Sequence, residues 1–129
     1  MSKVLVVDDA PMVEGFMREA LETAGHEVSG VARTGKQAIE LFGRLRPDLV
    51  TLDLNMPEMG GRDALKGILA IDPSAKVIIV TAMNQRLLRG DLLKDGAKEV
   101  LGKPIRLEQL LDAVRYVLDG GSGVQNEIH

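Results

Sequence analysis

Short apolar runs alternate with longer segments of helical periodicity five times along the chain, and this alternation restricts the fold most strongly. The apolar runs are predicted strands, and they cover residues 3–7, 27–31, 48–53, 76–80 and 98–101. The segments between and after them are predicted helices, and they cover residues 12–24, 35–45, 61–71, 84–94 and 106–118. Continuous apolar strands separated by helices indicate a parallel sheet with both faces covered. We therefore predict an α/β fold with an open, doubly wound (βα)5 sheet and the strand order 2-1-3-4-5.

The length of 129 residues fits one domain. The five βα units occupy residues 1–118, whereas an eight-unit barrel needs about 250 residues. From Asp119 the sequence continues as GGSGVQNEIH, which has three glycines and no apolar periodicity. We expect residues 119–129 to form a flexible C-terminal tail. The alternative is that this segment begins a linker to an output domain.

Composition excludes several classes of function. The chain has no cysteine, so disulfides, thiolate metal sites and a cysteine nucleophile are excluded. The formal net charge is −3 and the basic residues are not clustered, which argues against direct binding of nucleic acid. No apolar run approaches the ~20 residues of a membrane span, and the first run is too short for a signal peptide. We expect a cytoplasmic protein without a membrane as partner.

Polar residues follow the carboxyl ends of four predicted strands. Asp8 and Asp9 follow the first strand, Asp53 ends the third, Thr81 follows the fourth, and Lys103 follows the fifth. Ligands of open α/β sheets bind at this edge. Each residue alone is an ordinary cap or turn residue. Their convergence on one edge indicates a site.

The charges of this set suggest a chemistry. Three carboxylates carry −3, and Mg²⁺ with Lys103 supplies +3, so −3 + 2 + 1 = 0. Mg²⁺ prefers one or two carboxylates, several waters and a phosphate oxygen. A carboxylate can also act as a nucleophile toward phosphorus. In such a site Thr81 and Lys103 could each hold a phosphoryl oxygen.

These residues together resemble the receiver domain of bacterial two-component response regulators. The resemblance rests on Asp8-Asp9, Asp53 in DLNMPEMGG, Thr81-Ala82 and Lys103-Pro104, and it covers residues 3–118. It implies a flavodoxin-like, phosphorylation-activated switch in a phosphorelay rather than a turnover enzyme. It also implies that Asp53 accepts a phosphoryl group from a histidine kinase.

The resemblance assigns further roles at the site. Asp9, Asp53 and the backbone carbonyl of Asn55 would bind Mg²⁺, and Asp8 would act through a bound water. Thr81 and Lys103 would hold phosphoryl oxygens, which completes the catalytic set of Asp53, Thr81 and Lys103. Lys103-Pro104 would be a cis peptide.

The resemblance also places an output partner near helices 84–94 and 106–118. Asn55 and the absence of an output domain look most like single-domain chemotaxis regulators. Two positions depart from the pattern: Val100 stands where many members have Tyr or Phe, and Ile105 stands where many have Phe. These departures leave the phosphorylation chemistry intact and affect how the signal reaches the surface.

Alternative functions make different demands on the sequence. The chain could be the receiver fragment of a larger transcriptional regulator. A Mg²⁺-dependent aspartyl-phosphate phosphatase of the haloacid dehalogenase type needs a second aspartate where this chain has Ala10. A flavin carrier needs a Ser/Thr/Gly phosphate loop after the first strand, where this chain has Asp-Asp-Ala-Pro. A docking module that is never phosphorylated is disfavoured by the intact acceptor set.

Overall fold

The computed structural model describes residues 2–56, 59–82 and 85–123, and for residues 85–87 it describes the backbone alone. The strands are β1 (Lys3–Val7), β2 (Glu27–Ala32), β3 (Leu49–Asp53), β4 (Val77–Thr81) and β5 (Glu99–Gly102). The helices are α1 (Pro11–Thr23), α2 (Gly35–Leu45), α3 (Gly61–Ile71), α4 (Gln85–Lys94) and α5 (Leu107–Leu118). Every predicted element is present, and each end lies within one residue of the prediction.

The five strands form one parallel sheet in the order β2-β1-β3-β4-β5, which confirms the predicted fold class. The chain begins at β1, proceeds to the β2 edge, and then crosses to β3 on the other side of β1. The order therefore reverses between β1 and β3. Loops diverge at such a reversal, and the carboxyl ends of these two strands border a crevice.

Two apolar layers cover the sheet. One face packs against α2, α3 and α4 through residues such as Phe42, Leu65 and Leu92. The other face packs against α1 and α5 through residues such as Leu21 and Leu110. Because successive strand residues point to opposite faces, strand residues that lie between two layers are mostly apolar. This explains the apolar runs at residues 4–7 of β1 and 77–80 of β4.

Local signals fix several helix ends. Pro11 is the first residue of α1, where its missing N–H costs no helical hydrogen bond. The Thr34 hydroxyl oxygen accepts a hydrogen bond from the Gln37 N–H at the start of α2. Gly25 lies just after α1 with φ at +94°, a conformation that glycine adopts without a steric penalty.

The buried face of α5 differs from the sequence pattern at one end. The pattern places Leu107 on the inner face, but Leu107 is 48% exposed. It is the first residue of α5. The buried residues of α5 are Leu110, Ala113, Val114 and Val117.

Helix α4 carries four leucines, of which we expect at least one to be exposed. Leu92 and Leu93 are buried, and Leu88 packs partly buried against the same cluster. The side chain of Leu87 lies outside the described residues.

The segment after α5 is described as far as Gly123, and the boundary at residue 118 and the flexibility of 119–129 stay predictions. The backbone N–H of Gly123 donates to the Lys98 carbonyl at 2.7 Å, so this part of the segment lies against the sheet edge. Within the described ranges, no helix is both long and apolar enough to cross a membrane.

Candidate functional site

The crevice between β1 and β3 brings two aspartates together. Asp8 directly follows β1, and its backbone N–H donates to the Ala32 carbonyl at 3.0 Å. Asp53 is the last residue of β3, which pairs with β1 in parallel. Both side chains are almost fully buried, with 3% of Asp8 and 2% of Asp53 exposed. The topology therefore places two buried carboxylates side by side at the sheet reversal.

Asp9 completes an acidic cluster. One carboxylate oxygen from each of Asp8, Asp9 and Asp53 lies within 4.8 Å of the others, and Asp9 is exposed. Hard divalent cations favour such all-oxygen donor sets, with the remaining positions taken by water or a substrate oxygen. The donor set fits Mg²⁺, and the exposure of Asp9 leaves one side open to a ligand.

Lys103 reaches into this cluster from the end of β5. Its Nζ lies 3.3 Å from Asp8 Oδ2 and 3.4 Å from Asp53 Oδ1. The backbone N–H of Lys103 donates to the Thr81 carbonyl at 2.8 Å, and the Lys103–Pro104 peptide is cis, as predicted. One ammonium group thus bridges the two buried carboxylates.

The electrostatics of Asp53 differ from those of an exposed carboxylate. Burial is the largest influence, and it raises the pKa of Asp53 because it disfavours the charged form. The Asn55 N–H donates to Asp53 Oδ1 at 3.0 Å and lowers the pKa. The charge of Asp8 raises the pKa and that of Lys103 lowers it, and the net direction is upward. The charged form of Asp53 is therefore destabilised in the folded chain, and a bound cation would stabilise it.

The remaining predicted residues lie at the same edge. Thr81 is the last residue of β4, is fully buried, and pairs in register with Gly102, which precedes Lys103. Asn55 is exposed, and its backbone N–H is bound to Asp53. The structure thus brings together all the predicted site residues, whereas their individual roles remain predictions.

Gly61 is a site residue whose role the sequence does not reveal. Its N–H donates to the Leu54 carbonyl at 3.0 Å. A Cβ built on Gly61 would stand 2.6 Å from the Asp53 carbonyl oxygen and 2.5 Å from Leu54 Cα. The same test at Gly60 meets no atom within 4 Å. The Gly-Gly pair predicts a turn before α3, but it does not indicate that only Gly61 touches the backbone of the acidic site.

Comparison with known proteins agrees with this geometry. A family model described as the response regulator receiver domain matches residues 4–115. The chain is 41% identical over 115 residues to the chemotaxis protein CheY of Thermotoga maritima, covering 89% of this chain and 96% of that protein. It is 45% identical over 118 residues to the protein CcdB of Bacillus subtilis, covering 92% and 98% respectively.

Solved structures give the same answer. A chain in the crystal structure of the CheX–CheY–BeF3–Mg²⁺ complex from Borrelia burgdorferi is similar, with a TM-score of 0.87 and 30% identity. The match covers 90% of this chain and 88% of that chain. The family model, these relatives, the acidic cluster and the lysine that bridges two of its carboxylates agree, and the chain belongs to the receiver domain family of two-component response regulators.

Proposed function

We propose that this receiver domain is a switch controlled by Mg²⁺-dependent phosphorylation of Asp53, with a histidine kinase as phosphodonor. The observation that carries the proposal is the buried Asp53 carboxylate, 3.4 Å from Lys103 Nζ and within an acidic cluster. A nucleophile needs a reactive oxygen, and a charged phosphoryl group needs compensating positive charge. Asp53 and Lys103 offer both within one crevice.

The transfer step forms one bond and breaks one. An Asp53 carboxylate oxygen attacks the phosphorus of a phosphohistidine, and the phosphorus–nitrogen bond breaks with its electron pair passing to the imidazole nitrogen. The Asn55 N–H fixes the orientation of the carboxylate through its bond to Oδ1. Asp53 is thereby held ready for in-line attack, which is the main contribution of proteins to phosphoryl transfer.

The carboxylates of Asp8, Asp9 and Asp53 and the backbone carbonyl of Asn55 are the groups that would hold Mg²⁺, with Asp8 acting through a water. When bound, the ion supplies positive charge against the phosphoryl oxygens. The upward shift of the Asp53 pKa supports this assignment, because the metal-free cluster holds its negative charge at a cost.

Lys103 and Thr81 are proposed to hold the phosphoryl oxygens. Lys103 is shared between Asp8 and Asp53, so it can keep one carboxylate partner while it turns toward a new anion. Lysine binds phosphate as a point charge and tolerates such a change of partner. Thr81 ends the strand beside Lys103 and offers a hydroxyl donor.

The surface beside Lys103 suits a docking phosphodonor. A depression of about 230 Å³ is lined by Met12, Phe16, Lys103, Pro104 and Ile105. Met12 is 88% exposed and Phe16 is also exposed. Exposed apolar side chains that border a site mark a surface for protein contact. A kinase that docks there would present its phosphohistidine next to Lys103.

The output side of the proposal is a partner protein that binds near α4 and α5, with the chain acting as a switch and not as a turnover enzyme. The chemotaxis protein CheY of Thermotoga maritima, at 41% identity, favours a role in chemotaxis. The alternative is that the chain is the receiver fragment of a larger transcriptional response regulator.

Phosphate labelling tests the proposal. Incubation with acetyl phosphate and Mg²⁺, followed by intact mass measurement, is expected to add one phosphoryl group to the chain. Asp53→Asn is expected to abolish labelling, whereas Asp63→Asn, a control at an exposed position in the first turn of α3, is expected to leave it unchanged. Labelling of Asp53→Asn at the wild-type level, or full labelling in EDTA, would contradict the proposal. Labelling of Asp8 instead would favour the phosphatase alternative.

A further inference from the structure

The backbone after α5 turns back over the edge of the sheet, and residues 120–123 are named here the C-terminal strap. Gly120 has φ at +96°, which reverses the chain direction. The Gly121 N–H donates to the Tyr116 carbonyl at 2.8 Å, and the Tyr116 hydroxyl donates to the Ser122 carbonyl at 3.1 Å. The Gly123 N–H then donates to Lys98, as described above. The strap is therefore fixed to α5 at one end and to the start of β5 at the other.

The strap closes part of an exposed sheet edge. β5 is the outermost strand, and edge strands present backbone groups to which another chain can bind. The strap binds the Lys98 carbonyl, and the Val100 N–H donates to Glu99 Oε1 at 3.0 Å. Arg89 Nη1 of α4 donates to the Val100 carbonyl at 3.3 Å and also binds the Glu99 carboxylate. The strap and the Arg89–Glu99 pair together occupy the edge.

The strap contacts α4 as well as β5. A Cβ built on Gly123 would lie 2.6 Å from Arg89 Nη2, 3.1 Å from Glu99 Oε1 and 3.1 Å from Leu93 Cδ2. A Cβ built on Gly121 would lie 2.5 Å from Tyr116 Cε1. Both positions fit closely without a side chain. The strap therefore spans two elements whose relative position determines whether it can bind.

These two elements both lead to the acidic site. α4 follows Thr81 in the chain, and β5 runs directly into Lys103. For the strap to respond to the site, a displacement of Thr81 or Lys103 must change the separation between Arg89 and Lys98. Since the strap contacts both sides of that separation, its affinity for the face would then depend on the state of the site.

We propose that the strap is an intramolecular occupant of the α4–β5 face and that phosphorylation of Asp53 releases it. This proposal rests on the proposed function. The output partner then binds the α4–β5 face in place of the strap. It does so through an extended segment that donates a backbone N–H to the Lys98 carbonyl. A ligand shifts such an equilibrium only through different affinities for the two states, so the effect must be reciprocal. If the phosphoryl group releases the strap, a chain with a released strap must bind the phosphoryl group more tightly.

Amide hydrogen exchange in the full chain tests the release. In the wild type without ligand, the Gly123 N–H is expected to be protected from exchange. Beryllofluoride with Mg²⁺ is the phosphoryl mimic, and we expect it to speed exchange at Gly123 at least tenfold. Fluorine NMR reports independently whether the mimic is bound. Asp53→Asn is expected to show neither the bound signal nor the faster exchange.

Two variants test the reciprocal effect. Gly121→Ala combined with Gly123→Ala is expected to expose the Gly123-position amide without ligand and to tighten beryllofluoride binding at least threefold. Tyr116→Phe, which removes one strap hydrogen bond and keeps the ring, is expected to act in the same direction more weakly. Gly15→Ala is the matched control, because its added Cβ meets no atom within 4 Å, and it is expected to match the wild type. Urea unfolding verifies that each variant is folded.

Several results would overturn the inference. An unprotected Gly123 amide in the wild type would show that the strap is not bound in solution. Bound beryllofluoride with unchanged exchange at Gly123, or wild-type affinity in the double variant, would show that strap and site are uncoupled. Absence of any bound fluorine signal in the wild type would contradict the proposed function itself and, with it, phosphorylation-linked release. In that case, continued protection of the Gly123 amide would show that the strap covers the β5 edge without responding to phosphorylation.

Discussion

Gly61→Ala is the substitution that most directly tests how α3 supports the acidic site. Helix propensity alone predicts that alanine at the first residue of α3 stabilises the chain by up to about 1 kcal/mol relative to glycine. The tertiary structure predicts the opposite. The new Cβ would stand 2.5 Å from Leu54 Cα and 2.6 Å from the Asp53 carbonyl oxygen, and neither atom can rotate away because both belong to the backbone.

The size of the effect follows from the distance that must be recovered. Ordinary van der Waals contact of a Cβ begins near 3.4 Å, so 3.4 − 2.5 = 0.9 Å of backbone displacement is required. Forcing an extra methyl into a packed region costs about 1–3 kcal/mol, which exceeds the propensity gain. We therefore expect Gly61→Ala to lower the free energy of unfolding by about 1–2 kcal/mol. Because the displaced atoms include the Asp53 backbone, phosphorylation by acetyl phosphate is expected to slow at least about tenfold.

Gly60→Ala is the matched control for this experiment. Gly60 precedes Gly61, has φ at −65°, and has no atom within 4 Å of a built Cβ. Urea unfolding and labelling rates of the two variants are measured side by side, and Gly60→Ala is expected to stay close to the wild type. The reasoning is refuted if the two variants agree within about 0.5 kcal/mol, because the close approach would then carry no energetic weight.

Three further predictions concern the site and the core. Burial raises the pKa of Asp53, so the folded chain binds more protons than the unfolded chain between the ordinary and the raised value, and stability falls as pH rises through that window. In EDTA, Asp53→Asn is expected to be more stable than the wild type at pH 7, and the difference is expected to vanish in acid; a pH series of urea midpoints with no such trend would contradict this. Among the described residues, the buried Thr51 hydroxyl has no hydrogen-bond partner. Thr51→Val is therefore expected to raise the free energy of unfolding by about 1 kcal/mol. A lower free energy of unfolding in this variant would show that the hydroxyl is hydrogen-bonded in solution. Thr81→Ala is expected to abolish the beryllofluoride-induced amide shifts of residues 88–94, whereas Val100→Ala, at a buried and β-branched position, is expected to retain them; the reverse result would make Val100 the coupling residue.

The sequence determined the sheet and the location of the site. A strand such as β4 lies between two helical layers, so the residues that precede its carboxyl end must be apolar, and that requirement is visible as the apolar run just before Thr81. Right-handed crossovers and short connections then limit how five such units can be arranged. The carboxyl ends of parallel strands lie at one edge of the sheet. This arrangement of the five units therefore places Asp8, Asp53 and Lys103 at the same edge.

What the sequence left open depends on contacts between segments distant in the chain. Periodicity could not show that Leu107 is exposed, because burial at the end of a helix depends on how far the neighbouring layer extends. It could not distinguish Gly61 from Gly60, since only the docking of α3 brings one of them against the Asp53 backbone. No local sequence pattern predicts that Gly123 binds the α4–β5 face. It binds there because α4 and β5 together form a surface that fits a residue without a side chain. Backbone periodicity is a property of neighbouring residues, whereas close approach is a property of packed elements, and only the tertiary structure specifies the latter.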